Sequence, residues 1–208
     1  EVITKLFLRI EKKVCNMKNY DNFFDETPFQ TAGPFLHIGC SPNSIGINNI
    51  FKNDLGVLPF EKESHSNFIS ISGSVFDGNS EALNDVMIET WQCNEKGEYI
   101  DGQGFARFSP NAETKKFTLR TIKPGIVKDL DGKFQSPHIL MSISSRGINM
   151  NLNTRIYFED DDLSNDTTLS IINQKDKINT LIAKKIDKFN YIFDVYLQGN
   201  KETVFLDI

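Results

Sequence analysis

Cysteine is scarce: Cys15, Cys40 and Cys93 are the three found in 208 residues. They are odd in number, widely spaced and form no CxxC pair, so neither a disulfide framework nor a thiolate metal site is expected. The simplest reading is a reduced, cytoplasmic setting in which each thiol is a small buried apolar group. Positive charge is also in deficit, with 23 Lys and Arg against 28 Asp and Glu and a net charge of -5. That balance argues against a nucleic-acid surface. No uninterrupted apolar run approaches 18 residues, so no helix is expected to cross a bilayer. Internal repeats and low-complexity tracts are missing too.

What is present is a succession of short alternating segments. Phe68 to Phe76 reads FISISGSVF and ends at the Asp77-Gly78 turn signal. Val86 to Gln92 is a second strand, closed by a turn at Asn94 to Gly97, with Tyr99 just beyond. Lys116 to Ile122 alternates with Phe117, Leu119 and Thr121 on one face, and Phe189 to Leu197 repeats apolar residues at period two. Glu202 to Ile208 is expected to close the sheet. Lys175 to Lys185 is the single persuasive helix, because Ile178, Leu181 and Ile182 fall on one side. With 17 Phe and 39% hydrophobic residues a sizeable core is available. The pattern predicts an all-β sandwich with one or two short helices.

Three regions are expected. Residues 1–21 form an N-terminal extension in which Ile3, Leu6, Ile10 and Val14 recur at helical spacing. Met17 is the expected translation start, which leaves 1–16 as a non-native upstream piece. Residues 22–66 are an extended arm with loops, because Pro28, Gly33, Pro34, Gly39, Pro42 and Gly46 crowd 26–46 too closely for a helix. Residues 67–208 are the sandwich. The acidic run Glu159 to Asp162 continues into no ligand-spaced pattern and reads as a solvated loop.

The stretch Thr121 to Phe158 looks built for a site. It breaks at Lys123-Pro124-Gly125, where Pro fixes φ and Gly permits φ > 0. It resumes as a strand from His138 to Ser144, and breaks again at Arg146-Gly147 before Thr154 to Glu159. Its words TIKPG, SPHI, RGIN and TRIYF resemble the intradiol ring-cleaving dioxygenases. ETPFQTAGPFLHIG (Glu26 to Gly39), VMIETWQCNEKGEY (Val86 to Tyr99) and YIFDVYLQGNKETVFLDI (Tyr191 to Ile208) agree in order, over roughly residues 22–208.

This resemblance implies an intradiol-dioxygenase-like β-sandwich and a ferric ion held by two tyrosinates and two histidines, as suits a hard, highly charged ion. Carried over residue by residue, Tyr99 and His138 stand at two ligand positions, and Val127 and Leu140 replace the other two. Gln135 stands where catalytic chains tend to carry an Arg. Neither His37, in the arm, nor His65, in a polar loop, is expected to substitute. Read bottom-up, His138 and Tyr99 default to hydrogen-bonded residues of the sheet. Within the family the likeness is to alpha-type subunits. It therefore implies no metal and no catalytic residue on this chain alone, Fe(III) held by an iron-bearing beta subunit, protocatechuate and O2 as substrates, and a higher hetero-oligomer of alpha–beta pairs.

In that setting Thr31, Gly33, Pro34 and Phe35 of the arm would approach the partner's site, with Phe35 standing where the family often has Tyr. Arg146 would offer its guanidinium to an anionic aromatic acid, against the alternative of an ordinary ion pair or a solvent-facing side chain. Arg155 is expected to pack or pair structurally at the subunit contact. Two other readings compete. One is a non-catalytic sandwich kept as an interaction or assembly module. The other is a self-sufficient intradiol enzyme, which the missing Tyr and His and the short N-terminal segment oppose.

Overall fold

A computed structural model describes residues 30–60, 67–128 and 132–207. The expectations for the 1–16 extension, Met17, Cys15, the Glu26 to Phe29 end of the arm and His65 lie outside the described residues.

Among the described residues twelve short strands carry the fold: β1 (Phe68–Gly73), β2 (Val75–Phe76), β3 (Val86–Trp91), β4 (Phe105–Phe108), β5 (Phe117–Ile122), β6 (Val127–Lys128), β7 (Phe134–Gln135), β8 (His138–Ser145), β9 (Leu152–Phe158), β10 (Ile182–Lys185), β11 (Asn190–Ile192) and β12 (Val195–Tyr196). Eight of them make one sheet in the order β4-β3-β8-β9-β10-β11-β1-β5, and β12-β2 and β6-β7 form two small pairs. The large sheet curls over until its two edges meet, with the rings of Phe108 on β4 and Phe117 on β5 5.8 Å apart. Alternation supplies the interior: Ile69 and Ile71, Phe117 and Leu119, Ile139, Met141 and Ile143, and Ile156 and Phe158 are all buried in one cluster. The architecture is the all-β sandwich that the alternation predicts.

Four local expectations are corrected. Residues 175–185 are not one helix: Lys175–Leu181 is a 3-10 segment, and Ile182–Lys185 is β10, lying parallel to β9. Ile178 and Leu181 still face one small apolar cluster, but the next residues pair with Tyr157 and Phe158, and sheet hydrogen bonds override the helical spacing. The breaker-rich arm does hold a helix, Leu36–Cys40, followed by a 3-10 turn at Pro42–Ile45. Pro42 begins that turn, where a missing N–H costs nothing. Residues 202–207 form no strand. Thr203 N–H donates to Tyr196 O and Leu206 N–H to Asn153 O, so the segment is fastened singly beside the sheet.

The fourth correction concerns the acidic run, which is not simply solvated. Lys123 Nζ lies 3.1 Å from Asp160 and 2.8 Å from Asp161, Lys185 Nζ lies 2.6 Å from Asp160, and the Tyr191 hydroxyl donates to Asp160 at 3.1 Å. These contacts tie the end of β9 to the start of the KPG break and to β10 and β11.

Residues 43–59 form an ordered loop. The Asp54 carboxylate accepts the N–H groups of Asn43 and Ser44, Arg107 N–H donates to Gly56 O, and Gly104 N–H donates to Pro59 O. Although fastened at both ends, this loop turns Ile45, Ile47, Ile50, Phe51, Leu55, Val57 and Leu58 toward solvent.

Candidate functional site

The period-two rule divides β8 between two faces. Ile139, Met141 and Ile143 point into the core, leaving His138 and Leu140 on the opposite side. Antiparallel pairing with β9 sets His138 opposite Tyr157 and Leu140 opposite Arg155, and β3 sets Trp91 on the far side of Leu140. Directly opposed residues share a face. Trp91, Leu140 and Arg155 therefore make a row across three strands, with His138 and Tyr157 beside it. Tyr99 stacks on Trp91 with ring centres 6.3 Å apart. Val127 pairs with Gln135 in the β6–β7 hairpin. The five positions singled out from the sequence, Tyr99, Val127, Gln135, His138 and Leu140, thus border one cluster.

The short helix Thr167–Ile171 caps that cluster. Its N-cap is Asp166, 2% exposed, whose carboxylate accepts Leu169 N–H (2.8 Å), Ser136 N–H (2.8 Å) and the Tyr157 hydroxyl (3.1 Å). Arg155 is 9% exposed, and its Nη1 donates to Thr168 Oγ1 (2.8 Å), Gln135 Oε1 (3.1 Å) and the Tyr157 hydroxyl (3.2 Å). His138 Nδ1 lies 2.8 Å from Ser136 O. A carbonyl oxygen only accepts, so Nδ1 carries the proton.

The charges follow from burial. Burial and then the Arg155 charge push His138 down to about 4, so the ring is neutral at pH 7. Burial pushes Tyr157 up to about 12, against the opposing pull of Arg155. Burial also raises Tyr99, with the Cys93 thiol adding to it and Arg155 opposing, so the phenol is un-ionised at pH 7. Asp166 and Tyr157 are the members of this cluster that sequence reading missed. Asp166 was findable: an Asp before Thr-Thr-Leu-Ser is a helix N-cap signal.

A second locus lies at the other end of β8. Arg146 follows the last residue of the strand and His138 opens it, which separates them by about 25 Å of extended chain. Within Thr121 to Phe158 the ligand-like positions and Arg146 thus lie at opposite ends of β8. At the Arg146 end, Gly147 has φ +86 and its N–H donates to Thr31 Oγ1 at 2.7 Å, which brings the arm onto this turn. Arg146 forms an ion pair with Asp85 at 3.0 Å, its side chain 65% exposed. Gly33 and Pro34 are exposed and the Phe35 ring is 73% exposed beside them. His37 sits in the Leu36–Cys40 helix.

The curled sheet with these loci has the architecture of the intradiol dioxygenases. A family model described as a dioxygenase matches residues 47–199, and the chain belongs to the intradiol dioxygenase family. It is 37% identical over 194 residues to the protocatechuate 3,4-dioxygenase alpha chain of Pseudomonas putida, covering 88% of this chain and 96% of the relative. The alpha chain of the same name from Burkholderia cepacia is 31% identical over 202 residues, at 88% and 98% coverage. Among solved structures, the dioxygenase domain of a dioxygenase–carbohydrate-binding fusion from Streptomyces sp. SirexAA-E superposes with a TM-score of 0.54. It is 19% identical and covers 86% of this chain and 100% of that one, a likeness of fold.

The family is iron-dependent in general, and the residues here do not fit a ferric ion. Val127 and Leu140 have no lone pair. The Tyr99 phenol, moreover, is held above its ordinary range by burial. Among the described residues no group of three or more His, Cys, Asp and Glu converges as a metal cluster.

Proposed function

We propose that this chain is the iron-free alpha subunit of a protocatechuate 3,4-dioxygenase, active in the cytoplasm as part of a hetero-oligomer of alpha–beta pairs. The complex opens the protocatechuate ring between its two hydroxyl-bearing carbons to give 3-carboxy-cis,cis-muconate, with both atoms of O2 incorporated. Fe(III) belongs to the beta subunit and supplies the chemistry with O2. The observation that carries this reading is the replacement of two lone-pair donors by Val127 and Leu140, in a chain similar over most of its length to alpha chains.

Two surfaces support it. The fastened loop with seven outward apolar side chains between Ile45 and Leu58 suits a protein partner that would cover them. The contact of Thr31 with Gly147 joins the two segments expected to line the shared pocket. Thr31, Gly33, Pro34 and Phe35 would then form a wall against the partner's site. Arg146, steadied by Asp85, would present a cation to the substrate carboxylate.

The test is to purify the chain alone and again with a co-expressed beta partner, and to measure iron and ring cleavage in each. Iron and activity only in the pair are expected. Iron with activity in the lone chain would overturn the reading, and a partner whose activity is indifferent to this chain would leave an assembly module in its place.

A further inference from the structure

We propose that Asp85 is the positioning residue of an anion site at Arg146: it holds one edge of the guanidinium and leaves the other edge to the carboxylate of an aromatic acid. The inference deepens the reading that Arg146 meets the substrate, and rests on it. Register brings the two residues together. β3 and β8 run antiparallel, and Val86 opposite Ser145 is the last step of their ladder. One step further Asp85 stands opposite Arg146, and directly opposed residues share a face.

The pair is unequal. The Arg146 side chain is 65% exposed and the Asp85 side chain 14%. Arg146 Nη2 lies 3.0 Å from Asp85 Oδ2, yet that oxygen is buried and no hydrogen bond is aligned on it among the described residues. A carboxylate oxygen shut off from water and without a donor depends on the neighbouring positive charge. Turning the guanidinium away would leave a buried anion uncompensated. Asp85 thus tethers a long side chain that solvent would otherwise let wander.

A guanidinium carries five N–H donors in a rigid fork and serves acceptors on more than one edge. With one edge held by Asp85, the exposed edge is ordered before a ligand arrives. Ordering a rotamer-rich side chain is otherwise a cost of binding. Asp85 also repels an incoming carboxylate. That effect is the smaller one, because the guanidinium lies between the two anions and its exposure to water weakens Coulomb forces. Loss of Asp85 therefore weakens the hold on a carboxylate and leaves an uncharged ligand unaffected.

The experiment uses the complex with its iron-bearing partner. It compares KM and kcat for protocatechuate with the inhibition constant of its uncharged amide, 3,4-dihydroxybenzamide. Asp85→Asn is expected to raise KM about 2–10-fold, from the cost of ordering one such side chain. The value of kcat should change little, and the inhibition constant of the amide should not move. Arg146→Gln is expected to raise KM at least as much. In that background Asp85→Asn should add nothing, because its effect passes through the guanidinium. Asp85→Ser replaces Asp85→Asn if that complex does not assemble, as judged by its thermal melt. An unchanged or lowered KM in Asp85→Asn, with KM raised in Arg146→Gln, would overturn the inference. So would additive losses in the double variant, or equal losses for acid and amide, which a purely structural role would give. A KM unmoved by Arg146→Gln would instead remove Arg146 from the substrate and sink that part of the functional reading, so the two failures are distinguishable.

Discussion

Thr31 and Gly147 stand 116 positions apart and touch, the threonine Oγ1 accepting the Gly147 N–H at 2.7 Å. The bond lies at the surface and has a net worth of about 0.5–1.5 kcal/mol. Thr31→Val keeps the shape and removes the acceptor. In the assembled complex it is expected to raise KM for protocatechuate about 2–10-fold, from that energy, with kcat little changed. Thr31→Ser should restore the wild-type value. Equal KM in all three would show that the arm's seat on this turn has no bearing on the pocket.

His138 makes acid weaken the fold. Its folded value, about 4, lies below the unfolded value near 6.5. Between those limits the unfolded chain binds a proton that the folded chain refuses, so stability is complete above about 6.5 and falls as pH drops toward 4. The slope reaches about 1.4 kcal/mol per pH unit in that window. Urea midpoints measured across it should fall more steeply for wild type than for His138→Gln. Parallel profiles would contradict the assignment of a neutral buried ring.

Asp166 serves three donors, two of them backbone N–H groups of separate elements. Asp166→Ala loses the helix cap and strands Ser136 N–H and the Tyr157 hydroxyl, at a cost of about 3–5 kcal/mol. Asp166→Asn retains one acceptor and should fall between. A urea series on the complex decides this, and a loss below about 1 kcal/mol for the alanine variant would mean water replaces the carboxylate.

Much of the fold was legible because the core strands keep strict alternation, as Phe117, Leu119 and Thr121 or Ile139, Met141 and Ile143 do. The failures arose where a distant partner decides. Ile182 and Ala183 continue a helical spacing but find Tyr157 and Phe158 at hydrogen-bonding distance. Gly125 is needed for a reason other than a positive φ: a Cβ there would lie 2.5 Å from Glu95 O, so the KPG break is glycine because the Asn94 to Gly97 turn presses against it. The ligand-like positions were readable one by one. The contacts of Arg155 were not, because it looks from the sequence like any strand cation, and its partners depend on register across β8 and β9 and on the helix that starts at Thr167.

Asp160 offers a separate check on the acidic run. Burial raises its carboxyl, but the hydrogen bonds from Lys185 and Lys123 outweigh that and hold it down at about 2. A folded value below the unfolded one near 3.8 means that its contribution is present above about pH 4 and is lost as pH falls through 2. Asp160→Asn should lower the melting temperature at pH 7 by a few degrees, for about 1–2 kcal/mol. It should also converge with wild type in strong acid. A constant difference across pH would remove the ion pairs from the account.

The loop from Ile45 to Leu58 also governs supply. Asp54 and the β4 backbone fasten this loop while seven of its apolar side chains face solvent. A newly made copy that meets no companion exposes them to every other unfinished chain in the cell. On the proposed alpha–beta reading, copies made without the beta chain are expected to aggregate more readily than the pair.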